Sequence, residues 1–181
     1  MTEDLLRRPP VMRVQEALRA AGSPAQVMAL DASARTAADA AAALGCPVGA
    51  IVKSLVFAIG GRPVLALVAG DRRCDPQALQ LALALPGEVK RPDAEGVRAA
   101  TGFTIGGVPP LGHAPLGHAP GGPSPGGQPP RLPTAIDASL SRFERLFAAA
   151  GHPHCVFATD YAELVRLTGG QPSATLSRGD G

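Results

Sequence analysis

The sequence predicts an α+β fold in which short strands outnumber long helices. Strand-like and helical segments do not alternate strictly, which argues against a doubly wound parallel sheet. At 181 residues the chain is long enough to bury one core, so we expect residues 1–181 to form a single domain. Residues 49–59 are apolar and β-branched and are closed by Gly60 and Gly61, which predicts a buried or half-buried strand at the centre of this fold.

Helices are predicted where apolar residues recur at helical spacing between recognisable end signals. Thr36, Asp75, Asp93 and Asp160 each precede such a segment and can cap it. Glycines stop most of these segments at their other end. The helices expected are residues 11–21, 37–44, 76–85, 94–100 and 161–167.

Strands are predicted from short apolar runs bounded by turn residues. Residues 60–62 form a tight turn, and residues 63–69 return along the central strand as a hairpin. Residues 143–150 fit either a short helix or a strand, and the tail from Pro172 is expected to be loose. The other strands expected are residues 26–30, 89–91, 132–136 and 155–158.

Residues 111–130 differ in kind from the rest of the chain. Leu-Gly-His-Ala-Pro occurs at 111–115 and again at 116–120, and a Gly/Pro/Ser/Gln stretch follows to Pro130. This stretch has too much Gly and Pro for a helix or a central strand, which predicts a flexible surface insertion that grew by duplication. A proline-rich docking site is the alternative.

Composition excludes several classes of partner. The net charge is only +2, and the chain has no Trp and one Tyr, so neither a strong basic field nor an aromatic platform for stacking bases is expected. We expect no DNA partner, and no apolar stretch approaches the roughly 20 residues of a membrane span. Two arginine-rich clusters fit either a modest basic patch or solvated helix faces: Arg7, Arg8, Arg13 and Arg19, and Lys90, Arg91 and Arg98.

The cysteines and the N-terminus indicate a cytoplasmic protein. The three cysteines are widely spaced, which favours free thiols in a reducing compartment over disulfides or a zinc site. The N-terminus starts acidic without the apolar segment of a secretory signal. His152 and His154 could ligate a metal, but no other ligand cluster helps, so we favour turn residues and expect neither metal nor cofactor.

Lys53 is the unusual residue of the central strand. The chain has 2 lysines and 15 arginines, so a lysine inside an apolar strand suggests a need for its compact ammonium. Burial costs the ammonium hydration free energy, so it must be paired, neutral or directed into a polar cavity. A lysine at the strand edge that reaches water is the alternative.

Two further elements could join Lys53 in a site. The loop Gly106-Gly107-Val108-Pro109-Pro110 can present backbone N–H groups to a carbonyl or carboxylate oxygen, or be only a turn. Asp137, at a strand end, could bind an amine or a hydroxyl, or pair with Lys53. The chain has no phosphate-binding glycine motif and no nucleophile elbow.

These elements resemble the YbaK family of aminoacyl-tRNA deacylases, which is related to the editing domain of bacterial prolyl-tRNA synthetase. A strand lysine followed later by a G-x-x-x-P loop is fairly specific in combination. The matching stretches, in the family's order, are residues 52–57, 63–71, 101–113 and 136–140.

The resemblance implies a mixed, partly closed, barrel-like sheet surrounded by helices. It also implies hydrolysis of the ester that joins a wrong, small amino acid, such as Cys or Ala on tRNA(Pro), to the tRNA acceptor end. The partners would be aminoacyl-tRNA and, alongside it, a prolyl-tRNA synthetase. The family uses substrate groups in place of a side-chain nucleophile, which fits the lack of a Ser/His/Asp or Cys/His set here.

Site residues carry over position by position. Lys53 matches the lysine that positions the aminoacyl group, and Asp137 matches an acidic position after the loop. Gly106 and Pro110 begin and end the loop that holds the ester carbonyl. The resemblance therefore implies two sets: catalytic Lys53, Gly106, Gly107, Pro110 and Asp137, and substrate-binding Ser54, Val108, Pro109 and His113.

Two alternatives stay open. The insertion follows the loop directly, so either His113 or His118 fills the family's histidine position. The same fold could also be a non-catalytic module that binds an amino acid or an RNA end, or an esterase for free metabolites.

Overall fold

The computed structural model describes residues 2–114 and 131–179, and this part of the chain contains six α-helices, two short 3-10 helices (Val48–Ala50 and Ala138–Arg142) and ten strands. The helices are α1 Thr2–Leu6, α2 Pro9–Ala20, α3 Ala37–Leu44, α4 Pro76–Leu83, α5 Ala94–Thr101 and α6 Tyr161–Thr168. The strands are β1 Val27–Ala29, β2 Ile51–Ile59, β3 Arg62–Ala69, β4 Arg72–Cys74, β5 Val89–Lys90, β6 Thr134–Asp137, β7 Leu146–Ala149, β8 Cys155–Thr159, β9 Gln171–Ser173 and β10 Ser177–Gly179.

Eight of the strands form one mixed sheet, which confirms the predicted α+β class. The paired order is β1-β8-β7-β2-β3-β6-β9, and β5 adds to β2; β4 and β10 pair separately. The β2–β7, β3–β6 and β6–β9 pairs are parallel and the others are antiparallel. The described path has two ends, β1 and β9, so the sheet is open and not closed into a barrel.

The predicted hairpin is the centre of this sheet. β2 and β3 pair along their whole length, from Val52 opposite Ala69 to Ile59 opposite Arg62. β3 is buried on both faces, and its residues from Val64 to Ala69 are all 0% exposed. This double burial explains why residues 64–69 are all apolar and do not alternate with polar residues.

Helices cover both faces of the sheet. α2, α5 and α6 pack on one face through residues such as Val14, Val97 and Leu164. Leu79 of α4 and Leu176 pack on the other face. The odd-numbered residues of β2 from Leu55 to Ile59 point to this second face because side chains alternate along a strand.

The capping residues predicted from the sequence identified the starts of four helices correctly. All four predicted caps accept a hydrogen bond from a backbone N–H in the first turn of their helix: Thr36, Asp75, Asp93 and Asp160. The ambiguous residues 143–150 contain a strand, β7. Helix α1 and strand β4 had no clear sequence signal.

The prediction of a loose tail was wrong. β9 pairs with β6, and β10 pairs with β4. Leu176, between them, is 0% exposed and packs against the sheet. The tail is held by long-range strand pairing, which a proline at position 172 tolerates at a sheet edge.

Most of the predicted insertion, from residue 115 to 130, lies outside the described residues, and so do the last two residues of the tail, Asp180 and Gly181. The start of the insertion was placed too early, because Leu111 and His113 are only 9% and 8% exposed. The single domain over residues 1–181 stays a prediction. Within the described ranges, no helix is long and apolar enough to cross a bilayer.

Candidate active site

A cavity opens where the central strand lacks a neighbour. On its outer edge β2 pairs with β7 only at Ile51 and Val52, and with β5 only at Ala58 and Ile59. Between these pairs, no strand of the described part of the chain pairs with this edge. A cavity of about 340 Å³ occupies this gap, and Lys53, Ser54, Gly106 and Val108 all line it.

The open edge presents unpaired backbone groups to this cavity. The Gly60 N–H donates to the Glu88 carbonyl across the β2–β5 pair at 3.0 Å. Because backbone groups alternate along a strand, the N–H and C=O of Ser54 and Val56 project from the same edge. The Ser54 hydroxyl is also buried and has no hydrogen-bond partner among the described residues. Both features provide polar groups that a ligand in the gap can satisfy.

Lys53 is half-buried on the wall of the cavity. It lies opposite Val68 in the hairpin, and its ammonium donates a hydrogen bond to the Arg72 carbonyl of β4. This main-chain acceptor fixes the position of the ammonium of a residue that lines the cavity. The carbonyl also compensates part of the cost of removing the ammonium from water.

The glycine–proline loop retains two backbone donors, and both belong to residues of the cavity wall. Gly106 has φ +90°, a conformation that strongly favours glycine. The Gly107 N–H donates to the Thr104 carbonyl at 3.0 Å, and the two prolines have no N–H. In residues 2–114 and 131–179, the N–H groups of Gly106 and Val108 have no acceptor. These two are therefore the donors that the loop can offer a ligand.

Gly107 is required for a different reason from the one the sequence suggested. A Cβ at this position would lie 3.0 Å from the backbone nitrogen of His152. The Gly107 carbonyl accepts a 2.9 Å hydrogen bond from the Gly151 N–H. The close approach is therefore between two loops of the protein, which fixes the glycine–proline loop on the chain segment before β8.

The later part of the loop turns away from this cavity. Pro110 and His113 line a second cavity of about 200 Å³, and Pro109 lines neither. The His113 Nε2 lies 2.8 Å from the Pro109 carbonyl, so it carries the proton and donates. The imidazole packs edge-on against Phe103, and burial lowers the pKa of His113. His113 thus supports the loop from behind as a neutral ring; His118 lies outside the described residues.

Asp137 is not part of the cavity wall. Its side chain is 1% exposed and accepts hydrogen bonds from the N–H groups of Ala69 and Ser139 and from the hydroxyl of Ser177. The carboxylate therefore joins the end of β3 to the turn after β6. It also lies near Cys74, since its charge is one of those that raise the pKa of that thiol.

Three polar residues of the cavity wall were not among the predicted site residues, although Arg91 belonged to a possible basic patch and His152 was weighed as a metal ligand. Arg35, Arg91 and His152 come from loops and strand ends that only the fold brings together. Burial lowers the pKa of His152, and the charges of Arg8, His154 and Arg35 lower it further. The remaining wall is largely apolar and includes Ile51, Leu55, Val97 and Phe147.

His152 and His154 form a turn, as the sequence favoured. The His152 Nδ1 accepts a hydrogen bond from the His154 N–H at 3.1 Å. The neutral His152 ring therefore carries its proton on Nε2. The His154 Nδ1 lies 3.2 Å from the Leu30 carbonyl, which ties this turn to the end of β1.

Solved structures with this fold are available for comparison. A candidate trans-editing enzyme for prolyl-tRNA synthetase superposes with a TM-score of 0.80 at 38% identity, covering 95% of this chain and 99% of the other. A hypothetical protein gives a TM-score of 0.75 at 25% identity and covers 92% and 99% of the two chains.

A sequence relative and a family profile also connect this chain with proteins that act on aminoacyl-tRNA. The proline–tRNA ligase of Desulfovibrio desulfuricans is 34% identical over 90 residues, which is 50% of this chain but only 16% of the ligase. The profile of the aminoacyl-tRNA editing domain matches residues 31–167, well over half of the chain. The chain therefore belongs to the aminoacyl-tRNA editing domain family, in agreement with its YbaK-like sequence.

Proposed function

We propose that this protein is an aminoacyl-tRNA deacylase that hydrolyses the ester between a wrong, small amino acid and the 3′ end of a tRNA. Cys or Ala attached to tRNA(Pro) is the substrate class that we expect. The observation that carries the proposal is that one cavity is lined by Lys53, by the open edge of β2 and by Gly106 and Val108, the two loop residues whose N–H groups have no acceptor among the described residues.

The size and lining of the cavity support a small aminoacyl group. Its volume of about 340 Å³ is near the lower end of the roughly 300–1,000 Å³ typical of small-molecule sites. Ile51, Leu55 and Phe147 supply apolar wall on which a short side chain can pack. A larger amino acid would compete for this space with the terminal nucleotide that carries it.

The chemical step needs stabilisation of negative charge on the ester carbonyl. Attack by water forms a tetrahedral intermediate, whose oxygen then needs donors about 3 Å away. The N–H groups of Gly106 and Val108 are suited to donate to this oxygen, because the loop is fixed and neither group has an acceptor among the described residues. Collapse of the intermediate breaks the bond to the ribose oxygen, which receives the proton lost by the water.

The cavity wall does not supply an activated side-chain nucleophile. Cys155 is 1% exposed, and burial raises the pKa of its thiol, which disfavours the reactive thiolate. His152 presents a protonated Nε2 in its neutral form, so that nitrogen is a donor and not a base. Catalysis by positioning, with a ribose hydroxyl or a substrate thiol taking part, is therefore the mechanism that we propose.

Lys53 provides the fixed positive charge of the site. Its hydrogen bond to the Arg72 carbonyl fixes the ammonium, and the part that we propose for it is to orient the aminoacyl group by attraction to the ester oxygens. Ser54, with its unpartnered hydroxyl, is suited to bind the same group. We assign Asp137, Pro109, Pro110 and His113 to the support of these elements, since they do not line this cavity.

We expect the protein to act in trans, on tRNA charged by another enzyme. The similarity to a segment of a proline–tRNA ligase, and to a structure described as a candidate trans-editing enzyme, supports prolyl-tRNA synthetase as the enzyme whose errors it removes. We expect contacts mainly with the acceptor end, where the ester lies.

The test is a panel of aminoacyl-tRNAs incubated with the protein. We expect rapid hydrolysis of alanyl- or cysteinyl-tRNA(Pro) and slow hydrolysis of correctly charged prolyl-tRNA(Pro). A non-catalytic binding module would instead protect the ester from spontaneous hydrolysis. An esterase for free metabolites would be recognised because uncharged tRNA would fail to compete with its substrate.

A further inference from the structure

Two exposed arginines lie at the candidate active site without a part in the chemistry proposed above. Arg35, before α3, and Arg91, after β5, both line the cavity yet remain exposed to solvent. A Cβ at Gly106 would lie 3.8 Å from the Arg35 Cγ, so this arginine stands directly beside the glycine–proline loop. We call Arg35 and Arg91, together with the neighbouring Arg8, the arginine rim.

Arg8 approaches the same place from the N-terminal helices. Its charge and that of Arg35 both act on His152, a residue of the cavity wall. The two arginine-rich clusters of the sequence, near the N-terminus and near residue 91, therefore each contribute one cation to the surroundings of this cavity.

Among the described residues, the arginine rim has no acidic partner. Within residues 2–114 and 131–179, none of the three guanidinium groups forms an ion pair with a carboxylate. Arg142, Arg166 and Arg178, by contrast, each bind a carboxylate at 2.8 Å or less. Unpaired cations that gather around one opening create a local positive potential that attracts anions.

The position of Arg91 is also fixed. Its guanidinium carbon lies 4.7 Å from the centre of the Phe57 ring. Stacking on the ring face restrains the side chain while it leaves the edges of the guanidinium available to donate hydrogen bonds. A restrained fork of this kind suits bidentate binding of a phosphate group.

We propose that Arg35 and Arg91, assisted by Arg8, bind phosphodiester groups of the single-stranded acceptor end of tRNA and so guide its terminal ester into the cavity. This inference rests on the proposed function and assigns the RNA-binding residues of that same site. With no Trp and one Tyr, the chain has little aromatic surface for stacking bases, so phosphate contacts must supply most of the affinity.

The test measures the salt dependence of binding to uncharged tRNA, together with hydrolysis of an aminoacyl ester of adenosine, which lacks these phosphates. Each lost contact to single-stranded RNA should reduce the slope of log K against log salt by about 0.7, so the Arg35→Ala/Arg91→Ala double variant should lose about 1.4. The double variant should lose activity on aminoacyl-tRNA by a larger factor than on the minimal ester. Arg19→Ala, an exposed arginine of α2 that does not line the cavity, is the matched control.

Lysine variants distinguish loss of positive charge from loss of folded structure. Arg35→Lys/Arg91→Lys should keep most of the slope, because a phosphate contact requires mainly the positive charge. A thermal melt shows whether loss of the contact between Arg91 and Phe57 weakens the fold of the alanine variant.

Several results would overturn the proposal. One is an unchanged slope in a folded double variant, and another is an equal loss in Arg19→Ala, which would indicate a diffuse effect of charge. Competition by inorganic phosphate as effective as that by tRNA would assign the rim to small anions. If the wild type binds tRNA with the expected slope but hydrolyses neither ester, the proposed function fails while the arginine rim stands.

Discussion

The hydroxyl of Ser177 donates a 2.6 Å hydrogen bond to Oδ2 of Asp137, which joins the C-terminal strand β10 to the end of β6. Both side chains are buried, at 5% and 1% exposure. The same Ser177 hydroxyl accepts a 2.7 Å hydrogen bond from Nε of Arg72, whose carbonyl holds the ammonium of Lys53. Ser177 lies beyond the residues 31–167 that match the family, so this part of the chain adds its own support to the site.

We expect Asp137→Ala to destabilise the protein more than Ser177→Ala does. The first change leaves two backbone N–H groups and a hydroxyl without an acceptor, and each buried orphan costs about 1–3 kcal/mol. The second removes one hydrogen bond to a carboxylate, worth about 2 kcal/mol, and the acceptor of Arg72 Nε, a group that is only half-buried and can turn to water. Urea unfolding of both variants measures the two free energies, and equal losses would contradict this account of Asp137.

We expect loss of β10 to lower kcat through Lys53. Arg72 Nη2 donates to the Ser177 carbonyl at 2.9 Å, so the strand pair β4–β10 fixes the main chain that accepts from the ammonium. Ending the chain after Leu176 should lower kcat for deacylation about tenfold or more while KM changes little, because positioning and not binding is lost. Ser177→Thr keeps the hydroxyl and should preserve kcat. Unchanged kcat in a folded truncation would separate β10 from the site.

The chain offers an internal control for its site lysine, since Lys53 and Lys90 are its only lysines. Lys53→Ala removes the charge at the cavity wall and should reduce kcat for deacylation by about 100-fold or more. Lys90 forms an exposed ion pair with Glu88 at 3.1 Å, so Lys90→Ala should leave kcat unchanged. Single-turnover deacylation of both variants makes the comparison, and similar rates would remove Lys53 from the mechanism.

Local chemistry accounts for what the sequence predicted well. The helix caps at Thr36 and Asp75 depend on side chains that bond to N–H groups two or three residues away, so sequence alone suffices to identify them. The hairpin depends on a turn at Gly60 and Gly61 between two apolar runs. Lys53 was conspicuous because a charge inside such a run needs a reason.

Long-range pairing accounts for what the sequence missed. β9 and β10 are three residues each and gain their stability from partners far along the chain, so no local pattern marks them. Arg35 and His152 belong to loops that only the folded sheet brings to the cavity. His113 supports the loop through a hydrogen bond to the Pro109 carbonyl. The sequence motif contains both residues but does not show that the imidazole points to the back of the loop and not into the cavity.

The loop glycine Gly106 has a matched counterpart in the hairpin turn. Gly106 and Gly61 have φ +90° and +82°, and neither position would bring a Cβ closer than 3.8 Å to another group. Alanine at either site should cost about 1–2 kcal/mol of backbone strain. Only Gly106→Ala should also lower kcat, because it disturbs the N–H donors at the cavity. Equal activities of the two variants would argue against those donors.

We expect the protein to lose stability on acidification, in part through His113. Burial lowers the pKa of this ring below its ordinary 6.5, so the folded state resists protonation that the unfolded chain accepts. The stability that neutral His113 contributes is therefore full above about pH 6.5 and falls as the pH decreases from there toward the folded pKa.

His113→Gln tests this origin of the pH dependence. Its amide N–H can still donate to the Pro109 carbonyl, but it does not titrate. Urea unfolding at pH 8 and pH 5 should show a smaller loss in His113→Gln than in the wild type. His152, whose pKa is also lowered by burial but which is only half-buried, supplies the comparison. If the loss of unfolding free energy between pH 8 and pH 5 is unchanged in His113→Gln and reduced in His152→Gln, the acid sensitivity arises from His152 in the cavity wall and not from His113.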